Sequence, residues 1–134
     1  GHELKGVKVA VEQPQDTHVL GDEPAIIGVL INLFSNAALA LQRAGREQPR
    51  IDVRVWEADG RLRVAVRDNG QGILPEHIGR VFEPFFTTRD VGAGLGLGLS
   101  VSYGIVQRHG GTLSVDSVPG EWTEFAFDLP RPPQ

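Results

Sequence analysis

Two asparagines lie four residues apart in LINLFSNAALAL, a stretch that is otherwise almost wholly apolar: Asn32 and Asn36. On a helix this spacing puts both amides on one face. Leaving an amide unpaired in a core would cost about 1–3 kcal/mol. Two interpretations are open. Neighbouring backbone satisfies the amides, or their oxygens face a cleft and meet a hard cation or its water shell.

The segment RDNGQGI joins a carboxylate to a glycine-rich turn. Asp68 ends a predicted strand, and Gly70 and Gly72 follow it. Asp, Asn and Gly are ordinary turn residues, so a plain turn is one interpretation. The other uses Asp68 as an acceptor-only group for an exocyclic amine such as that of adenine. The two glycines would then let a flat ring lie close to the backbone.

Alternating glycines precede an apolar segment: Gly92, Gly94, Gly96 and Gly98. A G-x-G-x-x-G fingerprint is excluded, because its third glycine would fall on Leu97, Leu99 or Val101 in the possible registers. A Walker A loop is excluded because no lysine follows the run. The interleaved leucines are unlike a flexible linker. A mobile loop remains possible, as does a loop whose N–H groups hold phosphate at a helix N-terminus.

Composition narrows the class of protein. The 134 residues carry a net charge of −4 without a basic stripe, so nucleic acid is not an expected partner. Without cysteine there are no disulfides or thiolate metal sites, which fits a reducing compartment. No uninterrupted apolar run reaches the length of a membrane span, so direct membrane contact is not expected. The absence of methionine indicates a piece of a longer chain, with Gly1 and His2 as a cloning scar.

The elements that must position these residues follow from periodicity and turn signals. The sequence predicts strands over 7–12, 50–58 and 61–68, the last two forming a hairpin around Asp59 and Gly60. A helix begins after Asp22 as N-cap and ends at Gly45, and a short helix begins near Pro75. A loop over 83–96, a helix over 97–109, strands over 112–117 and 123–130, and a terminal coil over 131–134 complete the chain.

This order predicts one domain over residues 1–134. Its class is α/β (α+β): a two-layer sandwich with a mixed, mostly antiparallel sheet and helices packed on one face.

Four segments in this order resemble the motifs of a known family: LINLFSNAALAL, DNGQGI, FEPFFTT and GAGLGLGLS. They are similar to the N box, first glycine box, F box and second glycine box of sensor histidine kinases. Those kinases belong to the GHKL ATPase superfamily with DNA gyrase, the ninety-kilodalton heat-shock chaperone and MutL proteins. The resemblance spans residues 7–129. The F box and GLGLSVSYGIVQRHGG point to the kinase branch, and within it to nitrogen- and dicarboxylate-sensing members.

The resemblance implies an ATP- and Mg²⁺-binding catalytic domain. Asn36 would ligate the metal, Asp68 would bind the adenine amino group, and Gly72 would lie beside the ring with Thr123 in the same water network. The second glycine box would supply amides to the phosphates and the hinges of a lid over residues 90–97, which would become ordered with nucleotide. The remaining implied contacts are Gly70, Ile73, Phe86, Thr87, Thr88, Arg89, Gly92, Gly94, Leu95, Gly96, Leu97 and Gly98.

The catalytic set implied by the resemblance is Asn32, Asn36 and Arg89. Asn32 stands where hydrolytic relatives carry a glutamate base, which favours transfer to a histidine over hydrolysis. Two positions depart from the family pattern. Leu39 stands where many members have a basic residue, so Arg89 is the expected replacement contact to phosphate. Trp122 stands where a glycine is usual, which puts the shape of the last turn in question.

No helical pair carrying a phosphoacceptor histidine is apparent. His2, His18, His77 and His109 are expected to be structural or terminal, with the dipole of a helix C-terminus suiting a partial charge on His109. The implied partners are ATP, a histidine-containing dimerisation domain of the parent chain and the receiver domain of a response regulator. The isolated domain is expected to be a cytoplasmic monomer, with a parent chain compatible with an inner-membrane anchor. The alternatives are a degenerate nucleotide-sensing or protein-interaction domain of the same fold, and a hydrolytic GHKL ATPase.

Overall fold

A computed structural model of the chain describes residues 6–14, 19, 21–87 and 97–132. These residues form five strands and three helices. The strands are β1 Lys8–Glu12, β2 Arg50–Ala58, β3 Arg61–Asp68, β4 Leu113–Val118 and β5 Trp122–Pro130. The helices are α1 Glu23–Ala44, α2 Pro75–Ile78 and α3 Gly98–Arg108.

The strands form one mixed sheet in the order β1-β2-β3-β5-β4. The β2–β3, β3–β5 and β5–β4 pairs are antiparallel, and β1 runs parallel to β2. The last strand along the chain is therefore inserted between β3 and β4. Together with the helices on one face, this confirms the predicted two-layer α/β architecture.

The core lies between α1 and one face of the sheet. Alternate residues of β3 and β5, such as Val66 and Phe127, point to α1, where Val29, Leu33 and Leu41 are buried. The helix layer does not extend over β1. On that edge strand Val11 shares a face with core residues of β2 but is 58% exposed.

Helix α1 begins and ends as its sequence predicts. The Asp22 carboxylate accepts from the Ala25 N–H at 3.3 Å, and Gly45 closes the helix with a left-handed φ of 63°. With 22 residues, α1 is long and apolar enough to cross a bilayer by length and composition alone. Here the helix packs as a core helix, with Leu33 and Leu41 against the sheet.

The ring of His109, at the C-terminal end of α3, is hydrogen-bonded to two backbone groups. Its Nδ1 lies 2.7 Å from the Ile105 carbonyl oxygen, and its Nε2 accepts from the Asp22 N–H at 3.0 Å. A carbonyl can only accept and an N–H can only donate, so the neutral ring with its proton on Nδ1 serves both bonds. His109 therefore links the end of α3 to the start of α1.

Trp122 does not distort the last turn. The turn is closed by a hydrogen bond from the Glu121 N–H to the Val118 carbonyl at 2.9 Å. Because neighbouring residues of a strand point to opposite faces, the Trp122 ring lies on the outer face of the sheet. There it packs under the Arg67 guanidinium, with 3.9 Å between the guanidinium carbon and the ring centroid.

Candidate functional site

A cavity of about 860 Å³ lies between α1, the end of the sheet, the loop after β3 and the first turn of α3. Polar side chains from separate elements line it. They include Asn32, Asn36 and Arg43 from α1, Asp68 and Thr123 from adjacent strands, and Gln71, His77 and Thr87 from the connecting segments. The rest of the wall is largely apolar. A large cavity with few convergent polar groups is the usual form of a small-molecule site.

Asp68 forms part of the cavity floor at the end of β3. It is 3% exposed and lies directly opposite Thr123 of β5. Its Oδ1 accepts from the Gly70 N–H at 2.8 Å. Burial raises the pKa of the Asp68 carboxyl to about 6, and the Gly70 hydrogen bond opposes part of that rise. An ionised Asp68 would offer the cavity an acceptor and no donor.

The loop after Asp68 is fixed to the turn between β4 and β5. The Gly120 N–H donates to the Gln71 carbonyl at 2.7 Å, and the Ile73 N–H donates to Ser117 Oγ at 2.8 Å. Gly72 lies between these bonds with a φ of +75°, and a Cβ there would lie 2.5 Å from the Val118 carbonyl oxygen. The left-handed backbone and the close approach both require glycine at this position.

The two asparagines of α1 contact each other, as their spacing predicts. Asn36 Nδ2 donates to the Asn32 backbone carbonyl at 2.9 Å and approaches Asn32 Oδ1 at 3.3 Å. Asn32 Nδ2 donates in turn to Ser102 Oγ of α3 at 3.0 Å. The sequence left open whether backbone or a ligand satisfies these amides. The amide nitrogen of Asn36 does use backbone, and this fixes the orientation of a side chain that also lines the cavity.

The first turn of α3 borders the same cavity. Leu97, Gly98 and Leu99 line it, and no described side chain caps the helix at Leu97. The first N–H groups of a helix have no partner within the helix. The start of α3 therefore offers a favourable electrostatic environment for an anion.

Apolar and aromatic side chains cover the opposite wall. Ile73, Leu74 and Phe86 line it together with His77, whose ring meets Phe86 edge-on at 5.5 Å between centroids. The apolar and aromatic character of this wall suits a flat aromatic ring.

Residues 21–133 match the family described as histidine kinase-, DNA gyrase B- and HSP90-like ATPases. The chain belongs to this ATPase family. It is 40% identical over 119 residues to the sensor histidine kinase ZraS of Klebsiella oxytoca, covering 88% of this chain and 24% of that protein.

Solved structures agree with the family assignment. The catalytic domain of the histidine kinase ThkA aligns with a TM-score of 0.81 at 29% identity, covering 98% of this chain and 86% of that one. Full-length ShkA in complex with AMPPNP aligns with a TM-score of 0.80 at 32% identity, covering 96% of this chain and 26% of that one. The predicted resemblance is confirmed: this is the ATP-binding catalytic domain of a histidine kinase. It spans about a quarter or less of the length of the curated relatives that it matches.

The fold of this ATPase domain brings most of the described candidate residues into one cavity. Those lining it are Asn32, Asn36, Asp68, Gly72, Ile73, Phe86, Thr87, Leu97, Gly98 and Thr123. Gly70 does not line the cavity. It is buried beside Asp68, and its N–H orients that carboxylate. The other candidates, Thr88, Arg89, Gly92, Gly94, Leu95 and Gly96, lie outside the described residues, as does nearly all of the predicted lid.

Sequence reasoning missed several wall residues of the ATPase domain. Arg43 lies seven residues after Asn36, so the helical period that links the two asparagines would also have placed it on this face. His77 was expected to be structural, yet it lines the cavity. Pro119 and Gly120 reach the wall only because β4 and β5 lie beside β3, and strand order has no signal in the local sequence.

Proposed function

We propose that this domain binds Mg·ATP in the cavity and transfers the γ-phosphoryl group to a histidine on a dimerisation domain of its parent chain. The observation that carries the proposal is the convergence of Asn36, Asp68, Thr123 and Gly98 on one cavity. These residues come from α1, two strands and α3. They would supply a metal ligand, a ring acceptor, a water-binding hydroxyl and a helix start for phosphate.

The base would bind at the floor. The Asp68 carboxylate would accept from the adenine amino group, and the Thr123 hydroxyl would hold water beside it. Gly72 would contact the ring from the loop after β3, and the apolar wall of Ile73, Leu74 and Phe86 would pack against it. The low exposure of Asp68 supports this role, because a hydrogen bond to a charged group away from water is worth more than an exposed one.

The metal would bind through Asn36. Asn36 lines the cavity, and the hydrogen bond from its Nδ2 to the Asn32 carbonyl orients the side chain. Its amide oxygen is the atom that would ligate the ion. One amide oxygen suits Mg²⁺, which keeps several waters and takes its other ligands from phosphates. No cluster of three acidic, histidine or cysteine ligands occurs among the described residues, which fits a metal that arrives with the nucleotide. When bound, the ion would neutralise phosphate charge during transfer.

The phosphates would extend toward the start of α3. The N–H groups of its first turn have no partner within the helix and favour negative charge there. Thr87 and Arg43 border the same space. Thr88, Arg89 and residues 92–96 remain predicted contacts.

Phosphoryl transfer is proposed over hydrolysis because of Asn32. An amide cannot accept a proton from water near neutral pH. Its two ends are also engaged, with Nδ2 on Ser102 and Oδ1 beside Asn36. In the transfer, the histidine nitrogen would form the new P–N bond as the bond to the β–γ bridging oxygen breaks, and ADP would leave.

We propose that the dimerisation domain docks beside the α1–α3 contact. Ile31 of α1 is 61% exposed and Val101 of α3 is 54% exposed, and they adjoin the hydrogen-bonded pair of Asn32 and Ser102. An apolar surface next to the phosphate end of the cavity suits a helical partner that brings a histidine there. The isolated domain would be a cytoplasmic monomer, and the response regulator would receive the phosphoryl group from the dimerisation domain.

Titration calorimetry with ATP, with and without Mg²⁺, tests the nucleotide site. Asp68→Asn should raise the dissociation constant of ATP at least tenfold. Asn36→Ala should remove most of the increase in ATP affinity that Mg²⁺ produces. Asp59→Asn in the exposed hairpin turn and Ser35→Ala on the exposed side of α1 are matched controls. Unchanged ATP affinity in Asp68→Asn would contradict the adenine contact, and unchanged Mg²⁺ dependence in Asn36→Ala would contradict the metal ligand.

Labelled ATP with the parent's dimerisation domain added in trans tests the transfer. The proposal expects alkali-stable, acid-labile phosphohistidine on that domain and negligible steady-state hydrolysis by this chain alone. Ile31→Glu should slow the transfer without changing ATP affinity, whereas Val9→Glu on the distant edge strand should not. ATP binding without phosphohistidine would favour a protein-interaction domain, and rapid hydrolysis would favour an ATPase.

A further inference from the structure

Three polar side chains cross the sheet in one row beneath the cavity. Ser117 of β4 pairs with Thr123 of β5, and Thr123 pairs with Asp68 of β3. Directly opposed residues in an antiparallel pair point to the same face with their Cβ atoms about 5 Å apart. Asp68 and Thr123 line the cavity, while Ser117 lies behind them. Any effect of Ser117 on a ligand would therefore act through Thr123 or the adjacent loop.

The Ser117 hydroxyl has three hydrogen-bond partners and one proton. The Ile73 N–H, at 2.8 Å, can only donate to it. The Trp122 carbonyl, also at 2.8 Å, can only accept from it. The third contact, with Thr123 Oγ1 at 3.1 Å, must then have Thr123 as its donor for all three bonds to form together.

This arrangement fixes the polarity of the Thr123 hydroxyl. Its proton is directed at Ser117, so only oxygen lone pairs remain for the cavity. The ionised Asp68 beside it is also an acceptor without a proton. The floor therefore presents two neighbouring hydrogen-bond acceptors, Asp68 and Thr123. A ligand atom that is itself an acceptor cannot bond to them, and leaving buried acceptors unpaired costs binding free energy.

We propose that Ser117 is a positioning residue that helps the site select its purine base. This inference rests on the proposed function. By holding the Thr123 proton, Ser117 keeps the floor acceptor-only and favours a purine with a 6-amino group over one with a 6-oxo group. ATP presents amino protons to Asp68 and to the water held by Thr123, whereas inosine triphosphate presents an oxygen at the same place. Ser117 also holds the Ile73 backbone in the cavity wall. This second effect should change the affinity for both nucleotides equally.

The ratio of the ATP and inosine triphosphate dissociation constants separates these two roles. Wild-type protein should prefer ATP, and Ser117→Ala should reduce that preference about 3–10-fold, the range of one neutral hydrogen bond. If the substitution only loosened the cavity wall, the affinities for both nucleotides would fall together and their ratio would stay unchanged. Ser117→Thr keeps a hydroxyl and should retain the ratio. Ser114→Ala, an exposed serine on the same strand, is the matched control.

A double mutant tests the route through Thr123. Thr123→Val should reduce the preference by itself, and adding Ser117→Ala should reduce it no further. In ligand-free protein, the Ile73 amide should exchange with deuterium faster in Ser117→Ala than in wild type. Unchanged preference in a folded Ser117→Ala variant, or additive effects in the double mutant, would overturn this inference alone. Wild-type protein that binds neither nucleotide would instead overturn the proposed function and this inference with it.

Discussion

The Cα of Gly98 lies so close to the Asn32 side chain that an added Cβ would be 2.4 Å from Asn32 Oδ1. Four residues later on α3, Ser102 Oγ accepts from Asn32 Nδ2 at 3.0 Å. The Asn32 side chain thus packs against Gly98, the first residue of α3, and is hydrogen-bonded to the buried Ser102 one turn later. The start of α3 can contact α1 in this register only without a side chain at position 98.

Gly98→Ala should lower the free energy of unfolding by about 1–3 kcal/mol, because the new methyl group would push Asn32 or α3 aside. Urea unfolding at fixed pH measures the change. Gly104→Ala in the same helix is the matched control. Its methyl would meet only the flexible end of Arg108, at 3.2 Å, and should leave the domain unchanged or up to about 1 kcal/mol more stable. Equal losses in both variants would contradict the role given to the Asn32 contact.

Local sequence was sufficient where one element carries the information. The spacing of Asn32 and Asn36 predicted a shared helix face, and the two are hydrogen-bonded there. The Asp22 and Gly45 signals predicted both ends of α1, because caps depend on residues near in sequence. The strands were predicted from alternation, because β2, β3, β4 and β5 each bury one face. The edge strand β1 alternates too, although its valines are largely exposed.

Relationships between distant elements were not predictable from local sequence. Insertion of β5 between β3 and β4 places Thr123 opposite Asp68 and packs the β4–β5 turn on Gly72. Many strand orders would satisfy the same alternation. Long polar side chains are equally hard to place, because Arg46 reaches partners 23 to 74 residues away. His109 is structural, as expected, but its second partner, Asp22, lies 87 residues away and has no local signal.

Removing the His109 ring should loosen the link between α3 and α1. His109→Ala would leave the Asp22 N–H without its acceptor and remove the ring that packs over Gly21. The free energy of unfolding should fall by about 1–3 kcal/mol. Gln107→Ala, at an exposed position of the same helix, should change it by less than about 0.5 kcal/mol. Chemical denaturation gives both values, and no loss in His109→Ala would show that the link contributes nothing.

Arg46 should stabilise the two turns that frame the cavity. Its guanidinium donates to the Asn69 carbonyl at 2.8 Å, to the Gly70 carbonyl at 3.1 Å and to the Gly120 carbonyl. Arg46→Ala should therefore speed deuterium exchange at the Gly120 amide and weaken ATP binding several-fold. Gln42→Ala, at another exposed polar position near the end of α1, is the control. Arg46→Lys should give an intermediate result, because an ammonium lacks the fork that reaches several carbonyls. Unchanged Gly120 exchange in Arg46→Ala would contradict the prediction.

Asp68 should make the ligand-free domain less stable as the pH rises. Burial raises its pKa to about 6, whereas an aspartate in an unfolded chain has a pKa of about 3.9. Between these values the folded state binds more protons than the unfolded state. The contribution of Asp68 to the free energy of unfolding therefore falls as pH rises from about 4 to 6, by about 2–3 kcal/mol in total. Below this window both states are protonated, and above it both are ionised.

Urea unfolding of wild type and Asp68→Asn between pH 4 and 7.5 isolates this contribution. The variant should be relatively more stable at pH 7.5 than at pH 4, because an amide has no charge to bury. Asp52 provides a control without this dependence. The hydrogen bond from Arg50 lowers the pKa of Asp52, so its stabilising contribution is lost only below about pH 4 and should stay constant across the range measured. A difference between wild type and Asp68→Asn that stays constant across pH 4–7.5 would show that the carboxylate is not desolvated. The acceptor proposed for adenine would then lie in water, where its hydrogen bond would select little.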